Sequence, residues 1–309
     1  MQVFSSMLSQ MLVLFTFMAV GFVFNKKRLL PADDSVVISK LETYIFVPCL
    51  VFNTFYKYCT VQNFGQKWPL ILYGVGVMVL SLIIGLPLAR LFSGPDLYLR
   101  KIYNYSFAVA NFSFMGNAVV LGVFGEQVLF DYMMFTLPLT FYVYSYGTAS
   151  LRPQNGPVKF SFKMFLNPIC IAMLLGAAFG LLAVPLPGFV STVVSTAGAS
   201  MSPLAMLLTG FVIGDYSLKQ LAKNKKIYLA SVLRLIVIPL VFVAILKLIH
   251  ADSTVLRVTL CATAMPLGLN TVVFPAAYGG DTTPGAGMAL ISHLMSILTI
   301  PVMFALFLS

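Results

Sequence analysis

Three asparagines lie where an apolar helix accommodates them least. Asn111 and Asn117 fall in Ala110-Asn111-Phe112-Ser113-Phe114-Met115-Gly116-Asn117-Ala118-Val119-Val120, and Asn270 in Ala264-Met265-Pro266-Leu267-Gly268-Leu269-Asn270-Thr271-Val272-Val273. Each carboxamide offers two N–H donors and an acceptor oxygen. Proline removes a backbone donor and glycine lowers helical preference, so the chain can unwind at Pro266, Gly116 and Gly268 and free its own N–H and C=O groups. Half-helix N-termini then present partial positive charge, and neutral amides add donors, which suits a bound anion. The same asparagines can also cap the broken half-helices, and the two roles are compatible. Ser113 and Thr271 add hydroxyls, although hydroxyls in apolar helices often bond their own backbone.

Arg234 lies inside an apolar run, where it could attract a carboxylate or extend to the membrane interface past Lys226. No Asp or Glu occurs in residues 97–125 or 253–280. A site for cations would need acids there, so the pattern favours anions. Glu42, two residues after Lys40, reads as an interfacial helix-end charge or a carrier of a coupling proton, and His293 as a hydrogen-bonded packing residue. Pro48 and Pro203 are expected to kink helices that face the site. The cysteines Cys49, Cys59, Cys170 and Cys261 have no metal-ligand spacing and read as small buried residues. No cofactor is expected, and coupling to Na+ or H+ stays open. No nucleotide-binding loop, zinc cluster or nucleophile elbow is present, and Gly214-Asp215 lacks the companions of an intramembrane protease, so the chain reads as a non-enzyme.

The elements that hold these groups must cross a bilayer. With 60% hydrophobic and 9% charged residues and a mean hydropathy of +0.95, the 309-residue chain is too apolar for a soluble domain. Ten runs approach the ~20 residues needed to span a hydrocarbon core: 3–24, 36–56, 68–92, 101–122, 127–150, 164–184, 189–213, 227–249, 254–278 and 284–308. The first run lacks a preceding basic residue and reads as a retained span. The net charge of +10 is scattered over loops without a basic stripe, which argues against nucleic acid. Fourteen Lys and Arg residues fall in odd-numbered loops: Lys26, Lys27, Arg28, Lys40, Arg90, Arg100, Lys101, Arg152, Lys159, Lys163, Lys219, Lys223, Lys225 and Lys226. Lys57, Lys67, Lys247 and Arg257 fall on the other side. The bias places the odd loops in the cytoplasm and both termini outside the cytoplasmic membrane.

The doubled asparagine segment belongs to a longer repeat. Gly21 matches Gly176, Pro48 matches Pro203, Pro87 matches Pro239, Asn117 matches Asn270, and Pro138 matches Pro301, at offsets of 155, 155, 152, 153 and 163 residues. An insertion around 280–287 accounts for the last value. Five spans per copy is an odd number, so residues 1–150 and 164–309 would be inverted repeats joined by a cytoplasmic loop at 151–163, as in many secondary transporters. Asn111 and Pro266, also 155 apart, would then meet near the midplane.

These residues resemble the auxin efflux carrier family in a compact prokaryotic form. The resemblance rests on the break at 110–116 followed by Phe124-Gly125-Glu126, the break at 266–270 followed by Tyr278-Gly279-Gly280-Asp281, and the terminal Ser296-Ile297-Leu298-Thr299-Ile300-Pro301. It implies an all-α, ten-helix fold similar to bile-acid sodium symporters. Spans 1, 2, 6 and 7 would form a scaffold, and spans 3–5 and 8–10 a transport domain in which broken helices 4 and 9 cross. It implies a small organic anion as substrate, a malonate- or malate-like dicarboxylate or an auxin-like monocarboxylate, and a homodimer through the scaffold. The long central loop of the plant carriers is absent. A ligand-gated sensor or channel of the same fold is the alternative.

Overall fold

The computed structural model describes residues 2–29, 31, 34–153, 167–221 and 223–308, and every regular element among them is helical. The principal helices are α1 (Gln2–Lys26), α2 (Ser35–Tyr58), α3 (Pro69–Ser93), α4 (Leu97–Ala108), α5 (Asn117–Tyr142), α6 (Pro168–Leu181), α7 (Gly188–Gly214), α8 (Lys225–Leu248), α9 (Ser253–Thr263), α10 (Asn270–Ala277) and α11 (Thr283–Phe307). Side-chain oxygens of Asp96, Asn167, Asn224 and Asp252 accept from the first free N–H groups of α4, α6, α8 and α9. Most of the connecting loop expected at 151–163, and the start of the span expected at 164–184, lie outside the described residues.

Seven described helical stretches are long and apolar enough to cross a membrane, and Pro168–Leu181 is a shorter apolar helix. That number differs from the ten runs in the sequence for a physical reason. The stretch Leu97–Ser150 contains 54 residues, about 80 Å if straight, against a hydrocarbon core of about 30 Å. It is interrupted at 109–111 and again at Gly125, whose φ of 82° no continuous helix permits. Conversely, α9 and α10 are each too short to span, because a non-helical segment at 264–269 separates them.

The outward faces confirm the setting. Leu12, Val13 and Val23 on α1, and Leu72, Val79, Ile83 and Leu86 on α3, are exposed apolar side chains, as expected of surfaces meeting lipid. Five-residue π-helical turns widen three of the long helices: Glu42–Phe46 in α2, Val143–Gly147 beyond α5 and Leu233–Val237 in α8. Two of these turns end two residues before a proline, Pro48 and Pro239. A proline ring displaces the carbonyl four residues back, and the wider turn absorbs that displacement.

Helices meet closely where glycine replaces a side chain. On α1 and α7, a methyl group on Gly21 or Gly210 would strike the backbone of Leu207 or Met18 respectively. On α6, a methyl at Gly176 or Gly180 would lie 2.7 Å from Phe52 O or 2.8 Å from Phe55 O of α2. The small residues at 176 and 180 thus let α6 lie directly on the backbone of α2.

Polar contacts gather at two ends. At one, Asn25 donates to Asp215, Lys26 to the Tyr216 carbonyl, Lys226 to the Phe92 carbonyl and Tyr216 to Thr282, while Arg152 lies over the Tyr278 ring. Burial raises the Tyr216 phenol above its ordinary range, which keeps it a donor. At the other, Lys57 pairs with Glu126 at 3.1 Å, Leu186 N–H donates to Tyr56, Arg257 lies over Phe124 and Lys247 over Phe307.

Candidate functional site

The two interruptions touch. The Asn111 N–H donates to the Pro266 carbonyl at 2.7 Å, a bond that unwound backbone alone can form. The segments are chemically alike but differ in shape. After Asn111 the chain enters a π-helical turn, Phe112–Gly116, which leads into α5, and the Asn111 side-chain oxygen accepts from Met115 N–H at 3.3 Å. After Pro266 the chain stays irregular until Asn270 begins α10. Here Leu267 N–H donates to the Ser292 hydroxyl at 3.0 Å, satisfying a group that the missing helix would have used.

His293 of α11 completes this node. Its Nδ1 lies 2.7 Å from the Ala289 carbonyl, which can only accept, so Nδ1 carries the proton and Nε2 accepts from Asn111 Nδ2 at 3.5 Å. Tyr132 of α5 donates to the Phe112 carbonyl at 2.9 Å and leaves no room for a side chain at Gly116. A methyl group on Gly268 would lie 3.4 Å from Asn111 Cα. Gly116 thus makes room for the Tyr132 hydroxyl, whereas a methyl at Gly268 would be in ordinary contact with Asn111.

The remaining residues separate into three places. Ser113 and Asn117 line a cavity of about 30 Å³ shared with Thr136 and Thr140 of α5 and, across from them, Val51 and Phe55 of α2 and Ile169 and Met173 of α6. Neither the Ser113 hydroxyl nor the Asn117 amide hydrogen-bonds to another described residue, although Asn117 is only 5% exposed. Asn270 points elsewhere and donates to the buried Tyr105 hydroxyl at 2.7 Å. Thr271 is buried and bonds its own turn, at 3.5 Å from the Gly268 carbonyl.

Arg234 occupies the third place, within the π-helical turn of α8. It is 4% exposed, so the long side chain does not reach the interface. Its Nη1 donates to the Thr263 carbonyl at 2.8 Å, and its Nε has no partner among the described residues. Thr263 ends α9, so the guanidinium meets the negative end of that half-helix. The adjoining cavity, about 10 Å³, is lined by Ser106, Ser231, Leu267 and Ser292, which is room for about one water. Arg234 thus stands beside the second break without sharing the Asn117 cavity. Pro48 is buried on α2 and Pro203 half-buried on α7, and α7 packs against the Phe112–Gly116 turn.

Sequence reasoning missed Tyr105, Tyr132 and Ser292. Tyr105 carries a weak signal, a tyrosine six residues before Asn111 in an apolar run; Tyr132 and Ser292 are reached only through tertiary contact. Glu42, read as an interfacial helix-end charge or a proton carrier, is fully buried among the helices around it. Among the described residues no cluster of His, Cys, Asp or Glu could hold a metal.

No curated protein matches the chain. A family model described as membrane transport protein matches residues 6–304; the chain belongs to this family, the auxin efflux carrier family, and is a membrane transport protein.

Proposed function

We propose that this protein is a secondary transporter that moves a small organic anion, a dicarboxylate of the malonate or malate type or an auxin-like monocarboxylate, by alternating access at the crossing of two broken helices. The observation that carries the reading is the 2.7 Å bond from Asn111 N–H to the Pro266 carbonyl. It joins two interruptions that a bilayer tolerates only where they are buried in protein or line a water-filled cavity. The substrate carboxylate would be held by the uncommitted Ser113 hydroxyl and Asn117 amide, with Asn111, Pro266, Asn270 and Thr271 shaping the crossing and Arg234 supplying positive potential from behind it. A cavity of about 30 Å³ holds roughly two waters, less than a dicarboxylate needs. Binding therefore requires α2 and α6 to part from α5, the movement that alternating access needs.

The proposed architecture is ten spans in two inverted repeats, with Asn270 and Thr271 in the second crossing helix. Its support is a set of contacts repeated at one offset. Gly21 approaches Leu207 and Gly176 approaches Phe52; moving both members of the second pair by 155 residues, and exchanging their order, gives the first. Each crossing also ends at a glycine of positive φ, Gly125 at 82° and Gly279 at 69°. The two groups of polar contacts join odd loops with odd and even with even, as five crossings per copy require. With the basic residues on the odd loops, both termini are proposed to face away from the cytoplasm.

The reading is tested with purified protein in liposomes, by measuring uptake of labelled mono- and dicarboxylates with and without Na+ and pH gradients. Saturable uptake of one carboxylate is expected. Loss of all protein-dependent uptake, together with no thermal stabilisation by any carboxylate, would remove the anion from the proposal.

A further inference from the structure

Glu42 is fully buried, and neither carboxylate oxygen has a hydrogen bond among the described residues. It begins the π-helical turn Glu42–Phe46 of α2. Such a turn, inserted in an otherwise regular helix, frequently marks a functional position. Among the described residues, the groups around it offer no counter-charge. Helix α7, which packs against this turn, contains no titratable residue; α6 contributes only Cys170; on α2 itself Lys40 and Tyr44 are exposed and Cys49 is a free thiol. Lys26 of α1 is committed to the Tyr216 carbonyl. Taking an ionised carboxylate out of water without a partner costs several kcal/mol.

Helix α7 also connects this place to the crossing. It packs against both π-helical turns, Glu42–Phe46 and Phe112–Gly116, and contains Pro203 between its ends. A displacement of the crossing against α7 must therefore alter the packing over Glu42. From these observations we propose that Glu42 is a proton-binding site, closed in this conformation and opened to water when the crossing moves, so that the protein carries a proton together with each anion. The inference rests on the transport reading and adds the coupling ion to it. The step is a binding equilibrium: the carboxylate takes a proton from water on one side and returns it to water on the other.

Two measurements test it. The infrared difference between wild type and Glu42→Gln, recorded on purified protein at neutral pH, is expected to contain the carbonyl stretch of a protonated carboxyl; a carboxylate band in its place overturns the proposal without any substrate. In liposomes with the membrane potential clamped at zero, a one-unit pH gradient, alkaline inside, is expected to concentrate a labelled dicarboxylate about tenfold at one proton per anion. Glu42→Gln, which fixes the neutral form, is expected to keep anion exchange at equal pH and to lose that accumulation. Accumulation retained by Glu42→Gln, or wild-type uptake that ignores the gradient, overturns the proton site's role and leaves the carrier intact. No wild-type uptake of any kind overturns the carrier and the coupling with it. Glu42→Asp, with a shorter side chain that still titrates, is expected to restore part of the accumulation, which a merely structural loss in Glu42→Gln would not predict.

Discussion

The three asparagines divide their work by what they already touch. Asn111 is committed to Met115, His293 and, through its backbone, Pro266, and Asn270 is committed to Tyr105. Asn117 alone keeps its amide uncommitted, in the cavity that faces α2 and α6. A hydrogen bond to a charged group contributes about 1.5–3 kcal/mol, so Asn117→Ala is expected to weaken carboxylate affinity by roughly tenfold or more while leaving the thermal midpoint nearly unchanged. Asn270→Ala should do the reverse. It strands the buried Tyr105 hydroxyl at a cost of about 1–3 kcal/mol, and adding Tyr105→Phe should recover part of the lost stability; full additivity in that double-mutant cycle would dissolve the pair. Arg234 distinguishes capping from attraction. Arg234→Gln keeps a donor for the Thr263 carbonyl but removes the charge, and it is expected to raise the substrate concentration at half-maximal uptake with little change in folding. An unchanged value would reduce Arg234 to a cap on α9.

At the scale of elements, the sequence made the breaks legible because proline and glycine act locally, and it left their shapes unread because shape is tertiary. The segment after Asn111 closes into a π-helical turn with Tyr132 on the Phe112 carbonyl, whereas the one after Pro266 stays open with Ser292 on Leu267 N–H. Neither partner lies near its target in the chain. The burial of Glu42 is tertiary too: its position beside Lys40 says nothing of the packing of α7 and α6 against its turn. The close glycine contacts were legible as small-residue spacing, and they differ in kind from the two positive-φ glycines. Gly21→Val and Gly176→Val place a branched side chain against backbone carbonyls of α7 and α2, so each is expected to lower stability by about 1–3 kcal/mol from overpacking. Gly125→Ala meets nothing within 4 Å, and its cost is conformational, about 1–3 kcal/mol for an L-residue held at φ 82° and ψ 178°. Thermal unfolding in detergent checks each loss separately: an unchanged midpoint in Gly125→Ala would remove the conformational cost, and unchanged midpoints in both valine variants would remove the steric one.

For the whole molecule, the charge bias and the contacts between loops are independent observations that point to one topology. The bias counts lysines and arginines; contacts such as Tyr216 with Thr282 at one end and Leu186 N–H with Tyr56 at the other involve no charged group. In the proposed topology the two crossings end on opposite sides of the membrane: Gly125 leads into the Lys57 end and Gly279 into the Tyr216 end. Gln127 and Asp281 are exposed just beyond these glycines. In a background with the four native cysteines replaced, Gln127→Cys is expected to react with a membrane-impermeant maleimide added to intact cells, and Asp281→Cys only after the membrane is opened. Labelling of both from the same side would break the inverted repeat, since two equivalent loops on one face require an even number of crossings between them. The opposite pattern, with Asp281→Cys labelled from outside, would keep the repeat and reverse the orientation drawn from the basic residues. The expected pattern fixes which way the Asn117 cavity must open to the cytoplasm, and hence the direction in which a pH gradient acts on Glu42.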